Sequence, residues 1–539
     1  MNKLSYFLHI DSYDKQYIKR VICRVNMVVN TAAERLFGID TKFGETLVKS
    51  LLKTVAAIAL ITPIATSADF DTGTTESWTK AGQDAIKERL ADKPNTKRAK
   101  NVILFVGDGM GISTLTAARI LEGQLAGQPG EENFLSFEKF PHTALVKTYN
   151  VDSQVADSAG TASALNTGVK TRIGVINTAP THMQATCDNI ADNLVTPLAY
   201  KAEAAGMATG IVSTARLTHA TPAAVYAHSP LREWETDADM PTKAIEAGCR
   251  DIGQQIIDKI GGDGLEVALG GGRRSFKPVS EGGKRKDGRD LTKEWVSTFN
   301  NAAYIETAAE LKSVEADHLL GLFSSSHMSF EAQRDGTEEP TLTEMTEAAI
   351  KALSKDEDGY YLMVEAGRVD HGHHGGSAYL ALHDAVELSR AVKRTLELVD
   401  TEETLILVTA DHSHVFTMAG YPVRGNPIFG LVNSLNRDEN GEIKQELTLA
   451  KDGKPYTTLG YHNGSGAVKG ERPHLTAEEV AKPDFKQQAL VPTRSETHGG
   501  EDVGLFAIGP WSHLAKGTME QNVVYHIMHH ALDLDNRNK

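Results

Sequence analysis

Short apolar runs alternate with helical patterns over most of the chain. The runs at 101–106, 209–213, 265–269, 360–364, 405–408 and 504–508 hold few polar positions. Continuous apolar runs of this length predict strands buried on both faces, as the strands of parallel sheets are. Between them, 161–165, 343–354 and 378–398 read as helices, the last with Leu382, Val386 and Leu388 at helical spacing. Strands alternating with helices predict an α/β fold. A charged, glycine-rich stretch at 273–290 and a longer polar one at 421–496 interrupt the rhythm, with turn signals at 437–441 and Asn463-Gly464, and read as surface insertions.

Ligand sites in open α/β sheets form beyond the carboxyl ends of the strands, so the residues that follow each run carry the chemistry. Asp108 follows the first run, Glu365 and Asp370 follow the 360–364 run, and Asp411-His412 follows the 405–408 run. Four acids on one edge repel one another and shift their pKa values unless cations sit among them. In the segment from Glu365 to His374, Asp370 and His374 are four apart and meet one ion if the chain makes a helical turn. Aspartate with imidazole suits zinc. His498, just before the last run, supplies a third ligand to that ion, and Asp108, Asp411 and His412 form a second zinc set. The oxygens of Asp108, Thr221 and Glu365 suit magnesium, with Asp108 shared between two ions. A lone histidine more often packs than binds metal; here the crowding of His371, His373 and His374 beside two acids reverses that balance.

A nucleophile candidate, Ser158, opens a helix of small residues after Asp157. An ordinary N-cap explains serine and aspartate there, but a helix N-terminus also attracts phosphate through its free N–H groups. Arg232 is a candidate bidentate grip on phosphate oxygens.

Composition narrows the partners. A net charge of -15, from 71 acids against 56 bases with no basic cluster, argues against a nucleic-acid-binding patch. Lys49 and Lys53 precede an apolar stretch at 54–65, which is followed by Thr66-Ser67-Ala68. That is a signal-peptide pattern, assigned to 49–68 and too short to span a bilayer, which takes roughly 20 residues. Residues 1–48 stand as an N-terminal extension of doubtful status, and Met27 is an alternative start. Export makes the chain periplasmic or secreted. Cys23 lies in the extension, leaving Cys187 and Cys249 as an even pair that either forms a disulfide in an oxidising compartment or remains two buried thiols.

The motifs NVILFVGDGMG, VADSAGTASAL, STARLTHATPAAVYAH, VEAGRVDHGHH, TADHSHVF and ETHGGEDV, in this order from about Asn101 to Pro510, together resemble the alkaline phosphatase family. The resemblance implies a three-layer sandwich around a central, mostly parallel sheet, and hydrolysis of phosphate monoesters to inorganic phosphate. By it, Ser158 matches the phosphorylated serine and Arg232 the phosphate-binding arginine. Asp370, His374 and His498 match the first zinc site, Asp108, Asp411 and His412 the second, and Asp108, Thr221 and Glu365 the magnesium site. His219 and His371 fall behind the ligands, at positions where the histidines resemble the animal and marine-bacterial branch. Residues 418–496 resemble the crown insertion used across a two-fold dimer, with 69–417 and 497–539 as the catalytic domain, so a homodimer is expected. Ser324 stands where vertebrate-type members carry an acid, so no calcium site of their kind is expected, nor is a membrane anchor in the mature chain. The rival classes are a phosphodiesterase or sulfatase on the same scaffold, a phosphate-binding protein and a structural metal protein. Metal content and turnover separate them.

Overall fold

The computed structural model describes residues 74–537; the expected signal segment, the extension before it and Cys23 lie outside the described residues. The chain divides at Glu88 into two units. The first is described only from residue 74, where the exposed helix Thr75–Ala91 begins.

The second unit is built on ten strands: β1 (Asn101–Gly107), β2 (His142–Lys147), β3 (Ala208–Arg216), β4 (Val267–Gly271), β5 (Ala302–Ile305), β6 (His318–Leu322), β7 (Tyr360–Ala366), β8 (Thr404–Ala410), β9 (Val503–Ile508) and β10 (Gly517–Glu520). Their order in the sheet is β10-β2-β9-β8-β1-β7-β3-β4-β6-β5. β1 pairs in parallel with β7 on one side and β8 on the other. Helices α1 (Ile112–Leu125), α4 (Leu342–Leu353) and α6 (Ala378–Leu398) cover one face, while α2 (Ser158–Thr167), α3 (Ala220–Tyr226) and α7 (Asn522–Leu532) cover the other. A seventh helix, α5 (Arg368–His374), follows β7 directly. With both faces covered, Val102 to Val106 are all buried, which is why β1 reads as an unbroken apolar run. In α6, Leu382, Val386 and Leu388 all face the core.

Two readings of the sequence change. The 504–508 run is antiparallel to both neighbours, β8 and β2, and not a parallel strand. β8 leaves the sheet at its carboxyl edge, and the chain comes back from 411–502 on that same edge, so β9 must run the opposite way. The charged 273–290 stretch is not a loose surface insertion. Phe276 and Arg285 are fully buried, and Arg285 binds Asp251 with two hydrogen bonds of 2.9 Å. Charges read in sequence as solvated are paired inside the fold.

The polar stretch after β8 forms small sheets of its own, Phe416–Met418 with Leu459–Gly464 and Ala489–Pro492, and the hairpin Asn433–Arg437 with Ile443–Leu447. At its neck, His498–Gly499 pairs antiparallel with Ser413–His414. This two-residue ladder returns His498 to the carboxyl edge of the sheet.

Candidate active site

Asp108 is the first residue past β1, Asp411 the first past β8, and Glu365 the penultimate residue of β7. All three are fully buried. The turn after β1 depends on Gly109, whose φ of +70° favours glycine and whose added Cβ would fall 2.3 Å from the His414 ring.

Ser158 begins α2. Asp157, the N-cap, accepts hydrogen bonds from Gly160 N at 3.2 Å and Asn150 Nδ2 at 3.0 Å. Its other oxygen accepts from Arg232 Nη1 at 2.9 Å. One carboxylate thus caps the helix and anchors the guanidinium beside Ser158. Arg232 Nη2 donates to His219 Nε2 at 3.1 Å. Ser158 Oγ lies 3.1 Å from His412 Nε2 and 3.4 Å from Asp108 Oδ1.

The acids and histidines gather into three overlapping groups. In the first, the ligand atoms of Asp370, His374, His414 and His498 lie within 4.8 Å of one another. His374 Nδ1 donates to the carbonyl of Glu496 and His498 Nδ1 to that of Ala156, each at 2.7 Å. Both Nε2 atoms are therefore left with lone pairs, and they face each other at 3.0 Å. Each is also close to Asp370 Oδ1, at 3.2 and 3.3 Å. Two lone pairs and a carboxylate oxygen converging in this way form a group that could hold a cation, and the donor set suits zinc.

The second group is Asp108, Asp370 and His412. Asp411 stands beside it, with Oδ2 3.4 Å from His412 Nε2, while its Oδ1 accepts from the Gly109 and His412 N–H groups. The third group brings together Asp108, Glu365 and His219. There Asp108 Oδ2, Thr221 Oγ1 and Glu365 Oε1 are buried without a hydrogen-bond partner among the described residues. Three orphaned oxygens from the residues expected to hold magnesium fit a hard cation. Burial, together with the charges of Asp411, Asp370 and Glu365, raises the Asp108 carboxyl well above its usual range. Burial pushes Glu365 up to about 7. The carboxylates outnumber the one guanidinium that acts on Asp108, as they must where cations bind.

Not every histidine of the run serves this edge. His373 bonds to Thr114 Oγ1 at 3.0 Å and to Tyr461 OH at 2.8 Å, pinning α5 to α1 and to the inserted sheet. His371 and His219 stand with ring centroids 5.5 Å apart. His327, unremarked in the sequence, packs on His371 at 4.0 Å and takes a hydrogen bond from Arg216, which Glu235 clamps. His414 and Glu496 were also missed. His414 bonds to Asp370 at 2.9 Å and to Glu496 at 2.6 Å. Burial alone would lower His414, but these two bonds lift it to about 9. The spacing His412-Ser413-His414 held a signal for the first; nothing local marked Glu496 at the end of a polar run. Cys187 and Cys249 are bonded, with Cα atoms 5.8 Å apart.

The family profile described as alkaline phosphatase matches residues 99–534. The chain is 44% identical over 476 residues to alkaline phosphatase, tissue-nonspecific isozyme, of Gallus gallus, covering 85% of this chain and 89% of that one. It is 43% identical over 473 residues to the alkaline phosphatase of Gadus morhua, covering 84% and 96%. Among solved structures, the alkaline phosphatase of Thermus thermophilus matches with a TM-score of 0.58 at 23% identity, over 83% of this chain and 93% of that one. That of the Antarctic bacterium TAB5 matches with a TM-score of 0.55 at 21% identity, over 81% and 99%. At such identities the structural likeness speaks for the fold alone. Sequence identity over most of both chains, and a profile match spanning the whole sheet, carry the assignment: the chain belongs to the alkaline phosphatase family and is a metal-dependent phosphoric monoester hydrolase.

Proposed function

We propose that the chain hydrolyses phosphate monoesters in two steps through a phosphoserine on Ser158. The observation that carries this reading is Ser158 Oγ at the N-terminus of buried α2, within 3.4 Å of both His412 Nε2 and Asp108 Oδ1. Asp370, His374 and His498 would hold one zinc ion, Asp108, Asp411 and His412 a second, and Asp108, Thr221 and Glu365 a magnesium ion. When bound, these cations supply the Lewis acidity that makes a serine hydroxyl or a water nucleophilic and neutralises charge around phosphorus. Arg232 grips two phosphoryl oxygens through its planar fork, held in place by Asp157. The first-turn N–H groups of α2 add positive potential at the same place. Ser158 Oγ loses its proton and attacks phosphorus; the new O–P bond forms as the ester O–P bond breaks and the alcohol leaves. Water then attacks the phosphoserine, the Ser158 O–P bond breaks, and inorganic phosphate departs.

Ser158→Ala tests this directly. Turnover of a chromogenic monoester should fall on the order of a thousandfold or more, no phosphoprotein should be trapped, and zinc content should stay at the wild-type level. A phosphoprotein that persists in the variant refutes the assignment.

Export to the periplasm or the medium through the 49–68 segment goes with this reading, and the Cys187–Cys249 bond supports an oxidising compartment. Residues 418–496 are proposed as the crown of a homodimer. Their exposed apolar side chains, Tyr421, Leu435, Ile443 and Leu490 among them, support a surface covered by a second copy. No helix among the described residues is long and apolar enough to cross a membrane.

A further inference from the structure

At the amino ends of β4 and β6, the edge of the sheet opposite the phosphate site, a second group of ligand-type side chains meets. Asp263 and Glu266 come from the turn that leads into β4, and His318 is the first residue of β6. β4 and β6 are parallel neighbours with Val267 beside Leu319, and Leu319 N donates to the Glu266 carbonyl at 2.7 Å. This register sets His318 next to Glu266, and one ligand atom from each of Asp263, Glu266 and His318 lies within 4.8 Å of the others.

The histidine is built for one role. It is 5% exposed, and its ring stacks on Phe299 with centroids 4.6 Å apart. Its Nδ1 donates to the Leu265 carbonyl at 3.0 Å. Nε2 therefore carries the lone pair, makes no hydrogen bond to any described residue, and faces Asp263 Oδ2 at 3.8 Å. A backbone carbonyl that fixes the tautomer and aims the other nitrogen at carboxylates is how metal-binding imidazoles are held.

Among the described residues no cationic side chain forms an ion pair with Asp263 or Glu266 other than His318 itself. Glu203, buried at the end of the helix Leu198–Ala204, sits behind Glu266 and accepts from Gly264 N at 3.1 Å. Burial, then the charge of Glu203, lifts Glu266 to about 9, and burial lifts Glu203 to about 8. Asp263 adds to the repulsion on both. A site of this charge is completed either by protons or by a metal, and the buried imidazole lone pair favours the metal.

The geometry points to a divalent transition-metal site of zinc type formed by Asp263, Glu266 and His318, separate from the phosphate-site ions and serving to tie the 261–264 turn to the sheet. Two carboxylates and one imidazole leave a fourth position for water. The turn it would secure is tightly wound, with positive φ at Gly261 and Gly264.

The test is zinc per full-length chain, by elemental mass spectrometry after dialysis against a zinc buffer, for wild type, His318→Gln and Asp263→Asn. Wild type should carry one equivalent more than His318→Gln. Asp263→Asn should bind that equivalent more weakly by at least the roughly 10- to 100-fold that losing even a group behind a ligand costs. Both variants should keep wild-type monoester turnover. A crystal at the zinc absorption edge should show an anomalous peak between the three side chains. Should His318→Gln fail to fold, Asp263→Asn still decides, because the Asp263 side chain is 75% exposed. Equal zinc in wild type and Asp263→Asn across the titration, with no anomalous peak, overturns the proposal and leaves protons as the occupants.

Discussion

The Cys187–Cys249 bond closes a loop of 62 residues that contains β3, Thr221 and Arg232. Opening it releases the unfolded chain from a constraint. In the chain-entropy account the gain for a loop of this size is about 14 cal/mol/K, or about 4 kcal/mol at 25 °C. Cys249 packs against Trp234, Met240 and Ala244, so a Cys187→Ala/Cys249→Ala double variant also loses some sulfur packing, about 1 kcal/mol. The expected loss is thus about 4–5 kcal/mol. For an ordered unit of this length it lowers Tm by only about 4–5 °C, because the unfolding entropy is large. Equilibrium urea denaturation, followed by the fluorescence of buried Trp234 beside the bridge, measures it. Turnover of the folded variant should stay within about two-fold, because Arg232 is held by Asp157 and Thr221 by α3, not by the bridge. A loss below about 1 kcal/mol, with the bond verified in the wild type by mass, would refute the loop-entropy reasoning.

Three further outcomes are expected. Arg232→Lys keeps the charge but loses the fork that now spans Asp157 and His219, so inorganic phosphate should inhibit about 10- to 100-fold more weakly; an unchanged inhibition constant contradicts the assigned grip. Gly109→Ala forces a Cβ to within 2.3 Å of the His414 ring at a φ of +70°, so turnover should fall at least about tenfold with the circular dichroism spectrum preserved; full activity would show that the His414 position is not needed. Asp384 is buried in α6, and burial lifts its carboxyl to about 7 from an ordinary 3.8. Its folded form prefers the proton, so wild-type stability relative to Asp384→Asn should be greatest below about pH 4 and decline by about 4 kcal/mol as pH rises to about 7. Parallel unfolding curves for the two proteins across that range would sink the argument.

The motif order, and the crowding of Asp and His after the 101–106, 360–364 and 405–408 runs, were legible in the chain because strands buried on both faces are made mostly of apolar residues. The first charged side chain after such a run therefore stands out, as Asp108 and Asp411 do. The helix at 378–398 was equally plain, its apolar stripe being long and regular. Strand direction was not written locally: β9 has the apolar run of a parallel strand, but the edge at which the chain re-enters the sheet makes it antiparallel. Arg285 looked solvated and is buried, because its partner Asp251 is distant in sequence. His414, Glu496 and His327 join the phosphate site, and His318 meets Asp263 and Glu266, through contacts between segments far apart in the chain. Local pattern, then, determined which residues carry the chemistry and which segments become strands. Only the tertiary structure decided which of those residues meet, because convergence depends on strand order and register, set by how the layers pack rather than by any single segment.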